Sequence, residues 1–419
     1  MITSEPEGGA DEAAGSPESV ADVQLEGRRR WYRRPRGIFA CGGVIVAIVL
    51  VVSLFSGDTQ WVQVSNPIAN TGNMSTVSCS PAGCAILGES DLVLWLGRGD
   101  DSWKVQSPPA SIQYSGNIAI SCARDSCWET DGSGDLASIP TGVTEGSRSK
   151  AQPFGDWFSG GFSCAPEFQG LCVNLRDWDI SSNGLGPRDP QVLDVYRTVF
   201  GTLNSLREPI DLKVGVPLTP DCVNNEVCFA LGSPGGTGVW RTMDAGRTWT
   251  PQASTGAWND TSAISCTSTS SCAVSRGSSV YFTTDAGRSW RKSVVSDFAR
   301  EQEECVSADG SVGNCDDPRV YDQRATVNAL TCLSAEWCLA GSQGNLNVSW
   351  FTTKKPSGLN YPEGGIEVTS NGGRTWTAES IPSNVAIDSI ACESRHSCWA
   401  VGETSSVDNP QGVILRLAS

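Results

Sequence analysis

Val239-Trp240-Arg241-Thr242-Met243-Asp244-Ala245-Gly246-Arg247-Thr248-Trp249 returns in pattern as Tyr281-Phe282-Thr283-Thr284-Asp285-Ala286-Gly287-Arg288-Ser289-Trp290 and, with Asn in place of the Asp, as Val368-Thr369-Ser370-Asn371-Gly372-Gly373-Arg374-Thr375-Trp376. Each copy is a β-type run that breaks at a polar, glycine-containing turn and ends on tryptophan. Upstream of each lies a second recurring pattern: a short β-type run, a cysteine, a polar turn, a second cysteine and another apolar run. Ile264-Ser265-Cys266 to Cys272-Ala273-Val274 is one example, and Ile390-Ala391-Cys392 to Cys398-Trp399-Ala400-Val401-Gly402 is another. Seven pairs share this frame: Cys79/Cys84, Cys122/Cys127, Cys164/Cys172, Cys222/Cys228, Cys266/Cys272, Cys332/Cys338 and Cys392/Cys398. An eighth, Cys305/Cys315, lacks the frame and belongs to an insertion.

Pairs separated by only four to seven residues, in a chain with one histidine, read as hairpin disulfides of an oxidising compartment rather than zinc ligands. No metal and no cofactor is expected. The first cysteines of the framed pairs lie at 79, 122, 164, 222, 266, 332 and 392, giving spacings of 43, 42, 58, 44, 66 and 60. A period just above 40 residues with insertions is the length of a four-stranded propeller blade. The expected fold is therefore all-β, a seven-bladed β-propeller. A composition with 45 Gly, 22 Pro and a formal charge of −16 excludes coiled coils, collagens and basic nucleic-acid binders.

The tryptophan-ended turns resemble the Asp-box, or BNR repeat, S-x-D-x-G-x-T-W, of sialidase, sortilin, xyloglucan-hydrolase and photosystem II assembly-factor propellers. The match rests on Asp244, Gly246 and Trp249, on Asp285, Gly287 and Trp290, and on Asn371, Gly373 and Trp376, where Asn replaces Asp. The first repeat keeps only Ser102-Trp103, the second Gly155-Asp156-Trp157, and the third none. The resemblance implies a structural box lying away from the ligand: Asp accepts backbone N–H groups, Gly permits a positive φ and Trp packs over the hairpin.

The first 37 residues differ in kind. Seven acids and no base in residues 1–27 read as a disordered tail. Six arginines then flank Ile38 to Ser56, 19 uncharged residues long enough to span a bilayer as a helix. Trp31 and Tyr32 suit the headgroup level, and the arginines hold their flank in the cytoplasm. Leu54-Phe55-Ser56 is a poor signal-peptide cleavage site, and Cys41 opens the apolar run instead of ending it as a lipidated cysteine does. The expected localisation is the plasma membrane, single-pass, with residues 57–419 extracytoplasmic. That part has 24 basic and 39 acidic residues, a charge of −15 that repels nucleic acid and anionic lipid. Only six of the 30 bases are Lys, in keeping with a GC-rich bacterial genome.

The last repeat ends after its third strand, Gly412 to Leu417, whereas Thr59-Gln60-Trp61-Val62-Gln63-Val64-Ser65-Asn66-Pro67 resembles the first repeat's fourth strand, Ser102 to Pro108. Residues 57–67 are thus expected to complete the seventh blade and close the ring. Alternating strand direction puts the cysteine and box turns on one face, which the membrane helix enters. Three insertions, 176–194, 295–325 and 343–364, emerge on the other.

On that second face Trp178, Trp350 and Tyr361 are candidate ligand-binding aromatics, able to stack on sugars or anchor a protein. Asp177, Asp179, Asp189 and Glu363 are the acids a glycosidase reading has to use, but nothing in the sequence pairs them. The acidic insertion around Asp309, Asp316 and Asp317 fits no calcium-loop spacing. His396 lies in a cysteine turn, and no G-x-S-x-G exists to support a Ser-His-Asp site. No catalytic residue is assigned. The function expected is a non-enzymatic protein-interaction or assembly module of the cell envelope, with a carbohydrate-binding or glycoside-hydrolase-like propeller as the alternative. The partner is an extracytoplasmic protein or glycan.

Overall fold

A cysteine hairpin supplies two strands and two more complete the sheet, joined by the tryptophan-ended turn in the fourth, fifth and sixth repeats, so each repeat builds one four-stranded antiparallel sheet. The computed structural model describes residues 60–68, 72–88, 92–106, 119–123, 126–130, 136–140, 149–150, 161–166, 171–174, 192–199, 202–209, 217–232, 238–252, 261–295, 326–343, 364–404 and 411–418. They form seven four-stranded sheets, six of them with strands in chain order. The fifth is typical: Thr261–Cys266, Cys272–Arg276, Ser279–Thr283 and Arg291–Val294. The seventh differs. Its outermost strand is Gln60–Val64, paired with Gly412–Ala418 from Gln60↔Ala418 to Val64↔Ile414.

The innermost strands, Met74–Ser80, Ala119–Ala123, Phe162–Cys164, Pro217–Cys222, Thr261–Cys266, Thr326–Cys332 and Val385–Ser394, touch in sequence order, and the last touches the first. The chain is an all-β propeller. Apolar packing lies between sheets, with one buried cluster in each of the seven joints. Because a sheet is covered on both faces, its second strand is apolar along its whole length, as in Gly83–Gly88, which is buried throughout. Outer strands such as Thr250–Pro251 and Thr377–Ala378 are exposed. Trp61 of the closing strand is 1% exposed and packs with residues of both the sixth and seventh sheets.

All seven framed pairs are disulfides between directly opposed residues, with Cα–Cα distances of 3.9–4.1 Å: Cys79–Cys84, Cys122–Cys127, Cys164–Cys172, Cys222–Cys228, Cys266–Cys272, Cys332–Cys338 and Cys392–Cys398. Non-reducing peptide mapping should recover each as a near-neighbour bond; any bond between repeats overturns the hairpin assignment. Cys305 and Cys315 lie outside the described residues, as do the tail and residues 38–56. Among the described residues no helix is long and apolar enough to cross a membrane.

Besides closing the hairpins, these disulfides fill the core. Cys84, Cys127, Cys172 and Cys228 are at most 1% exposed, and so are Cys338 and Cys398. They are core residues: Cys84 packs with Leu94 and Trp399, Cys127 with Ile120 and Ile139, Cys172 with Trp128 and Phe162, and Cys228 with Ala230 and Trp240. The reason is position. Each second cysteine lies on the second strand, which neighbouring sheets cover on both faces, so its sulfur fills a joint as a small apolar group. None of them is placed to meet a ligand.

In five of the seven sheets the residue before the first cysteine ties one sheet to the next. Ser78 Oγ accepts the Cys122 N–H at 2.9 Å, Ser121 that of Cys164 at 2.9 Å, Ser163 that of Cys222 at 3.1 Å and Ser265 that of Cys332 at 2.9 Å. In the fourth sheet Asp221 takes the serine's place and accepts the Cys266 N–H at 2.5 Å. The seventh has Ala391 there, and Ser389 Oγ instead accepts the Val77 N–H of the first sheet at 3.2 Å.

Burial pushes the Asp221 carboxyl up to about 6, against the Cys266 hydrogen bond. A carboxyl whose folded pKa lies above its unfolded value binds its proton more tightly in the native state. Its penalty is therefore absent below pH 4, grows through pH 4–6 and is complete above pH 6. Asp221→Ser keeps an acceptor that four other joints use and removes the charge. It should melt higher than the parent at pH 7.5, by at most about 3 kcal/mol, and equally at pH 4; a lower melting point at pH 7.5 overturns this account.

One local expectation is corrected. Gly155-Asp156-Trp157 cannot be a box remnant, because box tryptophans precede the fourth strand, as Trp103 precedes Lys104–Gln106 and Trp249 precedes Thr250–Pro251. In the second sheet the fourth strand is Ser149–Lys150, already complete before Trp157.

Candidate functional site at the channel rim

Register sorts the loops into two faces. Cys266 pairs with Cys272 and Cys272 with Thr283, so cysteine turn and box turn lie at one end of the sheet. The turns are bonded to each other: the Ala245 N–H donates to Glu226 O (2.9 Å), Ala286 to Ser270 O (2.8 Å) and Gly372 to Glu336 O (2.8 Å). Within the box, Asp285 accepts the Ser289 hydroxyl at 2.5 Å, the Ser289 N–H at 2.9 Å and the Thr283 hydroxyl at 2.8 Å. These bonds, the Ser289 hydroxyl first, hold its carboxyl down at about 2. Asp244 makes the same set with Thr248 and Thr242. Asn371 keeps the N–H contact to Thr375 at 3.0 Å and donates its amide to the Thr375 hydroxyl. Trp249 is buried, while Trp290 and Trp376 are half-buried and donate to Gly287 O and Ser293 Oγ. The Asp, Asn, Thr and Ser groups of these turns are thus engaged in holding them. His396, too, sits exposed on this face.

Box turns also need two consecutive residues at positive φ, which the box glycine alone does not explain. Ala245 (62°) precedes Gly246 (82°) and Ala286 (63°) precedes Gly287 (84°); the third copy has Gly372 (69°) before Gly373 (75°).

The opposite face receives the insertions. Trp178, Trp350 and Tyr361 lie outside the described residues, as do Asp177, Asp179, Asp189, Glu363 and the acidic insertion. The strands that carry them are described: Leu171–Asn174 and Val192–Val199, Cys338–Gln343 and Gly365–Thr369, Val294 and Thr326. Their pairings, Asn174↔Asp194 and Ser342↔Gly365, put the departures at the end away from the disulfides.

At that same end five innermost strands are bulged. The register skips Ser75, Leu218, Asn328 and Asp388, and it skips Ser262 together with Ala263. Ser75, Leu218, Ser262, Asn328 and Asp388 each stand four residues before the first cysteine of their repeat. A bulge leaves its residue out of the ladder and re-aims its side chain. Innermost strands surround the central channel of a propeller, so the bulges encircle its mouth.

In the sixth, seventh and first sheets this rim is polar. The Thr326 hydroxyl meets Asn328 Oδ1 at 3.1 Å, Asn328 Nδ2 donates to Gln343 Oε1 at 2.8 Å, and Gln343 Nε2 donates to Asp388 Oδ1. Asn73, Asn328, Gln343, Asp388 and Glu403 are all half-buried. Burial, with the Glu403 carboxylate adding to it, pushes Asp388 up to about 7, although the Asn73 amide favours the ionised form. Asp388 Oδ2 and Asn73 Oδ1 are buried and make no hydrogen bond. Such a group exchanges a proton near neutral pH and offers acceptors to an incoming donor. The aromatic and acidic candidates read from the sequence do not include this cluster. Its signal was present nonetheless: alignment of the repeats on their first cysteines puts a polar residue in an apolar strand at 328 and 388.

No family model and no curated protein matches the chain. Among solved structures it is similar to YCF48 from Cyanidioschyzon merolae, with a TM-score of 0.54 and 14% identity over 86% of this chain and 98% of that one. It is likewise similar to YCF48 bound to D1 peptide, with a TM-score of 0.54 and 13% identity over 87% and 97%. A third likeness is to the GH74 xyloglucanase of Xanthomonas campestris, TM-score 0.52 and 12% identity over 82% of this chain and 53% of the enzyme. At these identities the likeness is one of fold, and the fold they share with this chain is the β-propeller.

Proposed function

We propose that the chain is a membrane-anchored, extracytoplasmic, seven-bladed propeller that binds a polypeptide partner on the face opposite its disulfides, as a non-enzymatic assembly module of the cell envelope. One observation carries the reading: the box and cysteine turns are spent on each other, whereas the other end bears the long insertions and a rim with unsatisfied acceptors. Peptide binding by a propeller of the same fold supports it. The membrane helix is residues 38–56, the basic flank keeps the tail cytoplasmic, and Trp178, Trp350 and Tyr361 are the aromatic anchors. Replacing residues 345–362 by a short Gly-Ser turn, or Trp178 and Tyr361 by Ala, should leave melting unchanged. Site-specific crosslinking to the native partner should then fall at least about tenfold, since buried aromatic anchors are worth about 2 kcal/mol or more each. Undiminished crosslinking, with loss instead on charge reversal at Arg395, puts the binding face on the disulfide side.

A glycoside-hydrolysing reading has its own observation, a carboxyl raised to about 7 beside a second acid at the rim of a fold shared with a xyloglucanase. Its test is release of reducing ends from xyloglucan oligosaccharides by the full chain and loss of that release in Glu403→Gln.

A further inference from the structure

We propose that the polar rim shared by the sixth, seventh and first sheets receives a cationic side chain, arginine or lysine, of the polypeptide partner. The inference rests on the binding face proposed above and names the group that enters it. Asp388 Oδ1 already takes the Gln343 amide, and Gln343 Oε1 takes that of Asn328. The Asn73 amide also favours the ionised carboxyl, but Asp388 Oδ2 and Asn73 Oδ1 remain buried acceptors without a hydrogen bond. A buried acceptor without a donor is destabilising, and a donor brought by a partner would relieve it.

The charge around it selects the donor. Among the described residues the charged group acting on Asp388 is Glu403, of like sign; the neighbours Asn73, Asn328, Gln343 and Thr326 are neutral. A neutral donor satisfies one oxygen and leaves the two carboxyls repelling each other. A guanidinium or ammonium brings several N–H groups and a positive charge together, with charge-assisted hydrogen bonds about twice as strong as neutral ones. The ectodomain's charge of −15 attracts such a group from a distance.

Entry of the cation favours ionised Asp388, so binding near neutral pH releases the proton that the empty site holds. Affinity should accordingly rise roughly tenfold between pH 6 and pH 8.

Capped Gly-Arg-Gly and Gly-Lys-Gly, with Gly-citrulline-Gly as the isosteric neutral control, can be titrated calorimetrically into the full chain in two buffers of different ionisation enthalpy. At least one cationic peptide should bind tenfold or more tighter than the citrulline peptide and release a fraction of a proton at pH 7. Asp388→Asn should abolish both the preference and the proton release without lowering the melting temperature at pH 8, and Glu403→Gln should weaken binding about threefold. Equal binding of arginine and citrulline peptides, an unchanged preference in Asp388→Asn, or displacement of the peptide by stoichiometric Ca²⁺ would each overturn the proposal. If the peptide arms fail while partner crosslinking still depends on residues 345–362, the cationic group alone is wrong. If crosslinking is indifferent to the insertion, the face is wrong.

Discussion

A fragment that starts at Asn70 should fail to fold into a stable monomer, whereas one that starts at Gly57 should melt cooperatively. The difference is a single strand. Gln60–Val64 pairs along Gly412–Ala418, and its Trp61 N–H also reaches Ser380 O at 3.1 Å, tying the seventh sheet to the chain that leaves the sixth. Removing it bares the edge of Gly412–Ala418, a template for aggregation. It also empties the space filled by Trp61 among Trp337, Ile366, Ile387 and Leu415. Trp61→Ala alone should cost about 3–5 kcal/mol, read as a lowered melting temperature of the fragment 57–419. Size-exclusion chromatography and thermal melting of both truncations check the larger claim. Unchanged melting from Asn70 onward means the ring is closed by something other than this strand.

Gly373→Ala should be the most damaging single methyl in the box turns. Gly373 has a φ of +75°, in the left-handed region that costs a residue with a Cβ about 1–2 kcal/mol. The added Cβ would meet Phe282 Cε2 at 2.3 Å and Ser293 Oγ at 2.9 Å, both belonging to the fifth sheet. Phe282 is 7% exposed and backed by Trp376 with ring centroids 6.3 Å apart, so it has little room to retreat. Overpacking adds about 1–3 kcal/mol, and the sum should be on the order of 3 kcal/mol. Gly277→Ala is the control. Its φ is also positive, +53°, but nothing lies within 4 Å of the added Cβ, and it should lose only about 1 kcal/mol. Equal losses at the two positions rule out a steric origin for the larger effect.

The two halves of that comparison were unequally visible beforehand. A glycine two residues after Asp or Asn in the repeated turn is readable as a turn residue, but that Gly373 leans on Phe282, ninety-one residues earlier, depends on how two sheets stack. The same division runs through the rest of the molecule. Cysteines four to seven residues apart, an eleven-residue turn that repeats, and a stray copy of the outer-strand pattern at Trp61 are local or periodic, and local spacing dictates hairpins and blades wherever the chain goes. That Cys84, Cys127, Cys172 and Cys228 also fill the joints was hidden, because burial of a second strand is conferred by the sheets on either side of it. Trp157 shows the limit of pattern matching, because three matching residues acquire meaning only from the strand that follows them.

Unaided, the order of residues determined the all-β class, the near-neighbour pairing of the framed cysteines, the position of the tryptophan-ended turns and the strand that closes the last sheet, since each follows from contacts close in sequence or from repetition. Tertiary structure alone decided which groups meet across joints. Ser78 finds Cys122 and Ser389 finds Val77, 44 and 312 residues apart; Asp221 loses its water in a place where four other joints hold serine. Asn73, Gln343 and Asp388 come from three different repeats and share a rim because the ring brings the first sheet against the seventh. A carboxyl near neutral pKa arises there chiefly from desolvation, which neighbouring sheets confer and no stretch of the chain possesses by itself, while the acid beside it, Glu403, comes from the adjacent strand of the same hairpin.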